Sequence, residues 1–260
     1  MSTIALMTDF GLKDNFVGVM KGAILSINPD VRLVDISHDV NPQDIFEAAF
    51  LLKGSFKYFP EGTIFLVVVD PGVGSERRPV IVQTEHYCFV GPDNGVLSLA
   101  VREDGIKEIK VAENKAYFRK PVSDTFHGRD IFAPVAAHLS GGKKLDSFGE
   151  SNDYIEQLNI HEPEEDKNVL KGEVIYIDRF GNLVSNISKL SMRRFAKGRP
   201  YKVKIEDKTI KTISRSYEDT EQRKPLAIFG SFGFLEISVS NDNAQKFFNG
   251  KKGTPVTVHK

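Results

Sequence analysis

The sequence lacks several features that would assign the protein to a restricted class. It has one cysteine, Cys88, which cannot form an intramolecular disulfide, and the apolar run at 87–90 predicts a buried, inert thiol. Its 35 Lys and Arg residues balance 35 Asp and Glu residues. No overall charge therefore favours nucleic acid or an acidic membrane surface, and we expect no nucleic-acid partner.

Long apolar runs are also missing. None approaches the roughly 20 residues that a membrane-spanning helix needs, and the first residues lead into a strand-like segment without the basic and apolar regions of a signal peptide. We expect no membrane partner and a cytoplasmic location. With 260 residues, of which 40% are hydrophobic, the chain can bury a substantial core in one domain or two.

The most informative stretch is residues 65–79, FLVVVDPGVGSERRP. Its first five residues are apolar and mostly β-branched, which predicts a strand buried on both faces, as in a parallel sheet. Asp70 follows at the carboxyl end of that strand, where open α/β sheets place their ligands. After a glycine turn, Arg77 is close enough in sequence to pair with Asp70. The alternative is an Asp that caps a turn, with Arg77 and Arg78 on the surface.

Alternating strand and helix patterns predict the architecture of the first part of the chain. They predict strands at 3–8, 31–36 and 65–69, and helices at 15–27 and 42–52. This order predicts an α/β amino-terminal domain at 1–160, in which helices flank a mostly parallel central sheet.

The rest of the chain has a different pattern. We predict a linker at 161–168, in a polar and acidic segment, and a smaller all-β domain at 169–260. The short strands of that domain predict a barrel or sandwich, with one short helix at 244–248.

Acidic residues at predicted strand ends (Asp9, Asp70 and Asp178), Arg77 and the loop residue His127 are the candidates for chemistry. A single histidine before a helix is more often structural than catalytic. A metal site built from Asp9, His38, Asp70, His127 and Asp130 is conceivable, but no HxxxH, HxD or paired-cysteine spacing supports it, and we expect no metal. The loop at 72–74 lacks the ending of a phosphate-binding loop, and Ser231 is not in a GxSxG elbow.

Six blocks, taken together, resemble one known family: TDFG (8–11), VVDPGVGSERR (68–78), GPDNGVL (91–97), TFHGRDIFAPVAAHL (125–139), IDRFGNLVSNI (177–187) and GSFGFLEISV (230–239). The family is that of the S-adenosyl-L-methionine hydroxide adenosyltransferases, or SAM hydrolases, which are relatives of the fluorinating and chlorinating enzymes. The blocks occur in the family's order, from the first strand to the second domain.

The resemblance implies hydrolysis of S-adenosyl-L-methionine to adenosine and L-methionine without a cofactor. It also implies a homotrimer, whose active sites lie between the first domain of one subunit and the second domain of its neighbour. The family's catalytic Asp/Arg/His set falls on Asp70, Arg77 and His127, and its ribose-binding carboxylate falls on Asp9. Its adenine and methionine contacts fall on Asp178, Asn182, Ser231, Glu236 and the backbone near Val239.

Departures from the halogenating relatives point to the hydroxide-using branch. Those relatives have a tyrosine in place of Asp70, a threonine near Val73 and a serine in place of Gly128, and the fluorinating enzymes add a loop that is missing after 80–84 here. At 240–243, relatives often have a glycine between the two asparagines, where this chain has Asp242. Aspartate, like glycine, can adopt the left-handed backbone region.

The chemistry of the reaction suits these residues. A sulfonium departs as a neutral thioether, so neither a metal nor a general acid is needed, and the difficulty is to position and activate water at the ribose 5′-carbon. Asp70 or His127 would accept the proton, and the sequence leaves both open. Two rival functions are a metal-dependent nucleoside or phosphoester hydrolase and a non-catalytic sensor that binds S-adenosyl-L-methionine or adenosine.

Overall fold

The computed structural model describes residues 2–260, and the chain divides into two compact units, the first ending at Asn159 and the second running from Ile160 to Lys260. In the first unit the strands are β1 (Thr3–Thr8), β2 (Arg32–Ser37), β3 (Ile64–Val68), β4 (Pro79–Thr84), β5 (Cys88–Pro92) and β6 (Ile106–Val111). Its α-helices are α1 (Phe16–Ile27), α2 (Ile45–Ser55), α3 (Ser98–Asp104) and α4 (Ala133–Ser140). A π-helical turn, Gly128–Phe132, precedes α4, and short 3-10 turns lie at Phe56–Tyr58, Lys115–Tyr117 and Leu145–Ser147.

The sheet of the first unit is mixed, with the order β2-β1-β3-β5-β4-β6. The strands β2, β1, β3 and β5 run parallel, whereas β4 pairs antiparallel with both β5 and β6. The sequence predicted a mostly parallel sheet. The antiparallel part arises because three residues, 85–87, join β4 to β5, and a connection that short can only return the chain antiparallel.

Both faces of this sheet are covered, which explains the unbroken apolar run of β3. Leu66 and Val68 pack with residues of α1 and α4 in one core, and Phe65 and Val67 pack with residues of α2 and α3 in the other. Successive side chains of a strand point to opposite faces, so a strand between two layers must be apolar throughout. The carboxyl end of β3 is thereby fixed in a rigid frame, with Asp70 just beyond it.

The second unit is built on nine strands: β7 (Glu164–Asp166), β8 (Val169–Ile177), β9 (Leu183–Ser188), β10 (Lys202–Ile205), β11 (Lys208–Ile210), β12 (Ile213–Ser214), β13 (Pro225–Phe229), β14 (Phe234–Val239) and β15 (Pro255–His259). The strand order is β11-β10-β15-β8-β9-β14-β13-β12, with β7 added beside β8. Since β11, at one end of this order, lies against β13, next to the other end, the sheet curls into a nearly closed barrel.

Two features of the second unit differ from the sequence-based expectation. The segment predicted as a linker contains β7, which pairs antiparallel with β8. The expected helix is present as α6 (Ala244–Phe248), but a second helix, α5 (Lys189–Ala196), is added, so the unit is not purely β, and a 3-10 turn lies at Tyr217–Asp219. Within residues 2–260, no helix combines the length and apolar character required to cross a membrane.

Candidate functional site

Asp70 and Arg77 form an ion pair at the end of β3. Arg77 Nε donates to both Asp70 oxygens, at 2.9 and 3.0 Å, and Arg77 Nη2 donates to Oδ2 at 2.5 Å. The two side chains are only 5% and 9% exposed. A guanidinium that grips a carboxylate through two nitrogens fixes its geometry as well as its charge. The pair anticipated from residues 65–79 is therefore formed, and the turn-cap alternative is wrong.

His127 joins this pair through the same guanidinium. Arg77 Nη2 lies 2.7 Å from His127 Nδ1. Because arginine has no acceptor, Nδ1 must accept this hydrogen bond, and a neutral ring then carries its proton on Nε2. Burial and then the positive charge of Arg77 lower the pKa of His127 from its usual value of 6.5. Both effects favour the neutral imidazole near neutral pH.

The loops that carry the three side chains approach one another closely. Gly74 has a φ of +78°, and a Cβ at this residue would lie 2.5 Å from the backbone oxygen of Asp124, in the loop that leads to His127. Only glycine allows both that dihedral angle and that approach. The guanidinium of Arg77 also lies 5.1 Å from the ring centre of Phe132, in the π-helical turn. Such turns are frequent at functional sites.

Arg78, by contrast, has a structural role. It pairs with Asp93 through Nε, at 3.0 Å, and through Nη2, and it lies over the ring of Tyr154. The other oxygen of Asp93 accepts the backbone N–H of Glu156 at 2.8 Å. Arg78 therefore ties the segment near 154–156 to the sheet and does not contact Asp70.

Asp9 follows β1, which lies next to β3. Its Oδ2 accepts the backbone N–H of Gln43 at 2.8 Å. The turn around Asp9 is held by His38, since Thr8 Oγ1 lies 2.8 Å from His38 Nδ1 and the backbone N–H of Gly11 donates to the His38 carbonyl at 2.7 Å. Asp9 is thus a partly exposed carboxylate that is anchored on one oxygen.

An aromatic cluster of Phe10, Phe16 and Phe126 packs edge-to-face beside this turn, with ring centres 5.4–5.9 Å apart. A Cβ on Gly128 would lie 3.3 Å from the ring of Phe126 and 3.2 Å from Met20 Sδ. The first residue of the π-helical turn therefore fits closely against the cluster, and a larger residue there must displace it.

In the second unit, Asp178 organises the turn between β8 and β9. Its Oδ1 accepts the backbone N–H groups of Phe180 and Asn182, at 2.9 and 2.8 Å, and its Oδ2 accepts Asn182 Nδ2 at 2.8 Å. A carboxylate accepts about four hydrogen bonds, so one position on Oδ2 stays open to a further donor.

Glu236 is a buried carboxylate in β14. Its Oε1 accepts the hydroxyl groups of Tyr217, at 2.7 Å, and Ser238, at 3.0 Å. Burial raises the pKa of Glu236, the two hydroxyl groups lower it, and nearby Asp178 raises it further, with a net increase. A Cβ on Gly230 would lie 2.6 Å from Glu236 Oε2, so this carboxylate packs directly on the turn that contains Ser231. Ser231 itself is exposed.

A pocket of about 590 Å³ opens beside Asp178 and Asn182. Val239 and the segment 241–243 complete it, together with Tyr217 and the 76% exposed ring of Phe180. In the segment that departs from the relatives, Asn241 has the left-handed backbone, with a φ of +54°, and Asp242 does not. The lack of a glycine at Asp242 therefore leaves this turn unstrained.

The structure brings the predicted residues together in two groups. In the first unit Asp70 and His127 both contact Arg77, and in the second Asp178, Asn182 and Val239 line one pocket. Among residues 2–260, no three His, Cys, Asp or Glu side chains are grouped as metal ligands. The sequence reasoning missed Tyr217 and Gln43. Neither lies in a recognisable motif, and both act through contacts with residues distant in sequence.

Comparisons with known proteins agree with this two-unit architecture. The family model of the SAM hydroxide adenosyltransferase N-terminal domain matches residues 4–149, and that of the C-terminal domain matches residues 172–257. The chain therefore belongs to the SAM hydroxide adenosyltransferase family.

Among its relatives, the (R)-S-adenosyl-L-methionine hydrolase of Methanocaldococcus jannaschii is 38% identical, over 96% of this chain and 92% of the relative. The protein of that name from Thermus thermophilus is 33% identical, over 99% and 100%. A fluorinase from Nocardia brasiliensis is 28% identical, over 98% and 96%. The crystal structure of an uncharacterized conserved protein from Thermotoga maritima matches with a TM-score of 0.91 and 36% identity, over 99% of this chain and 100% of that one.

Proposed function

We propose that this protein hydrolyses S-adenosyl-L-methionine to adenosine and L-methionine. The observation that carries the proposal is the bridging guanidinium of Arg77, which holds Asp70 on one side and His127 on the other. The side chains of Asp70 and Arg77 are largely buried, just beyond the carboxyl end of a parallel strand, where α/β sheets bind ligands. A water molecule held there meets a carboxylate, an N–H donor and a positive charge in fixed positions.

In the proposed reaction the water oxygen attacks the ribose 5′-carbon opposite sulfur. The C–S bond breaks with its electron pair going to sulfur, which leaves as the neutral thioether of methionine, and the water gives up one proton. The leaving group needs no proton and no Lewis acid. Orientation of the reactants can lower the barrier by about 7–11 kcal/mol in well-aligned systems, and we assign most of the catalysis to it.

The contacts favour Asp70 over His127 as the proton acceptor. His127 Nδ1 is occupied by the hydrogen bond from Arg77, and its Nε2 carries the proton of the neutral ring. Asp70 Oδ1 accepts one bond, from Arg77 Nε, and keeps capacity for another. His127 would therefore orient the water through Nε2–H, while Asp70 takes the proton and Arg77 stabilises the developing hydroxide.

Substrate binding is assigned to the remaining site residues. Asp9, with one oxygen free of the Gln43 contact, suits the two ribose hydroxyls. The open position on Asp178 suits the methionine ammonium. Adenine and the rest of the methionine portion would contact Asn182, Ser231, Glu236 and the backbone near Val239.

The assembly and the branch of the family are also proposed. A homotrimer, in which the α/β unit of one subunit and the barrel-like unit of its neighbour form each active site, is implied by the resemblance.

The close fit at Gly128 supports the hydroxide-using branch, because the serine of the halogenating relatives would crowd Met20 and Phe126. Water rather than halide is then the nucleophile.

A chromatographic assay of the purified protein with S-adenosyl-L-methionine tests the proposal. Equal amounts of adenosine and methionine, unaffected by a chelator or by added chloride and lost in His127→Ala, are expected. A 5′-chloro product would assign the protein to the halogenating branch instead. Binding without product would leave a sensor, and loss of activity with chelator would indicate the metal-dependent hydrolase.

A further inference from the structure

The loop before α2 holds Asp9 through an unusual backbone conformation. Gln43 has a φ of +65°, in the left-handed region that a non-glycine residue with a long side chain rarely occupies. In that conformation its N–H points at Asp9 Oδ2, 2.8 Å away. A strained backbone persists only where its surroundings enforce it, so the residues that enforce it are of interest.

Glu47 and Asn41 are those residues. Glu47, in the first turn of α2, is 4% exposed, and it accepts the backbone N–H of Asn41 at 3.2 Å and Asn41 Nδ2 at 2.8 Å. The backbone N–H of Asp44 donates to the Asn41 carbonyl at 3.0 Å and closes the turn. A buried carboxylate is stable only when it is hydrogen-bonded, so these contacts fix both ends of the segment 41–47.

We infer that Asn41 and Glu47 are positioning residues for the ribose subsite: they fix the loop whose Gln43 N–H orients Asp9. This inference rests on the proposed role of Asp9 as the ribose carboxylate. The N–H occupies one side of Oδ2 and restricts the rotation of the carboxylate, so that its remaining acceptor positions face a single direction. Two adjacent hydroxyls on a ribose ring require such a fixed pair of acceptors.

The test is a comparison of two nucleosides by calorimetric titration of the full-length protein. Adenosine has both ribose hydroxyls, and 2′,3′-dideoxyadenosine has neither. The Kd of the dideoxy compound divided by the Kd of adenosine therefore reports the hydroxyl contacts alone. In Asn41→Ala we expect this ratio to fall by roughly three- to tenfold, as for loss of one modest hydrogen-bond contribution. The Kd of the dideoxy compound should stay unchanged, which a general loss of structure would not produce.

Two further variants sharpen the comparison. Asn159→Ala removes an exposed asparagine whose hydrogen bond is to Arg102, outside the segment 41–47, and it should keep the wild-type ratio. Glu47→Gln, which retains one of the two acceptor oxygens, should lower the ratio in the same direction as Asn41→Ala.

The outcomes separate this inference from the proposed function. A ratio lost in Asp9→Asn but retained in both Asn41→Ala and Glu47→Gln overturns the positioning role and leaves the ribose role of Asp9 intact. A wild-type protein that binds both nucleosides equally well overturns the ribose role and this inference together. Hydrolysis of S-adenosyl-L-methionine is measured separately, so its absence would not be confused with either result.

Discussion

Replacement of Arg77 by lysine tests the central contact of the site. Arg77 uses two nitrogens to reach both Asp70 and His127. A lysine ammonium has a single nitrogen and no rigid fork, so it cannot keep both partners in place. Loss of one hydrogen bond to a charged group costs about 1.5–3 kcal/mol. Since 1.4 kcal/mol corresponds to about a tenfold change in rate, we expect kcat to fall by about 10- to 150-fold, with KM little changed.

The neighbouring residue supplies a matched control. Arg78 also forms a two-nitrogen pair with a carboxylate, that of Asp93, but outside the site. Arg78→Lys makes the same chemical change and should leave kcat within about threefold of wild type. Adenosine formation at saturating substrate is measured by chromatography, and thermal unfolding verifies that both variants are folded. A folded Arg77→Lys protein that turns over as fast as Arg78→Lys would refute the bridging role.

Three other changes have defined outcomes. Gly74→Ala should lower the free energy of unfolding in urea by at least about 1 kcal/mol, and by more than Gly142→Ala does. Both glycines have a positive φ, but only at Gly74 would a Cβ lie against a backbone oxygen. Equal losses in the two variants would contradict the close-approach argument. The lowered pKa of His127 means that the folded state resists protonation, so the stability of the protein falls as the pH drops below about 6.5. The difference in Tm by which wild type exceeds His127→Asn should therefore shrink between about pH 7 and pH 5. A difference that grows over this range would show that the pKa shift has the opposite sign. Gly230→Ala should displace Glu236 and raise KM more than it lowers kcat, as measured by steady-state kinetics, and an unchanged KM would separate Glu236 from substrate binding.

The sequence predicted the elements that depend on local pattern. The apolar run before Asp70 predicted a strand buried on both faces, and the structure confirms it. The sequence motif also anticipated the contact between Asp70 and Arg77, because their separation of seven residues confines the possible geometries. Contacts of this kind are short in sequence and depend on few other elements.

Two features were not predicted, for different reasons. The helix α5 was missed although a signal was present, since Ser188 caps it and its buried residues Met192, Phe195 and Ala196 recur at helical spacing. The left-handed conformation of Gln43 had no such signal. It follows from the buried contact between Glu47 and Asn41, which no pattern around Gln43 reveals.

The bridge through Arg77 also constrains how the protein acquires its site during folding. Asp70 and Arg77 are seven residues apart and can meet as soon as one loop closes, whereas His127 is 50 residues beyond Arg77. Closure of the longer loop costs more chain entropy and has to wait for α4 and the preceding turn to dock on the sheet. The Asp70–Arg77 pair can therefore form at a smaller entropic cost than the contact with His127, and the complete group requires the assembled α/β unit.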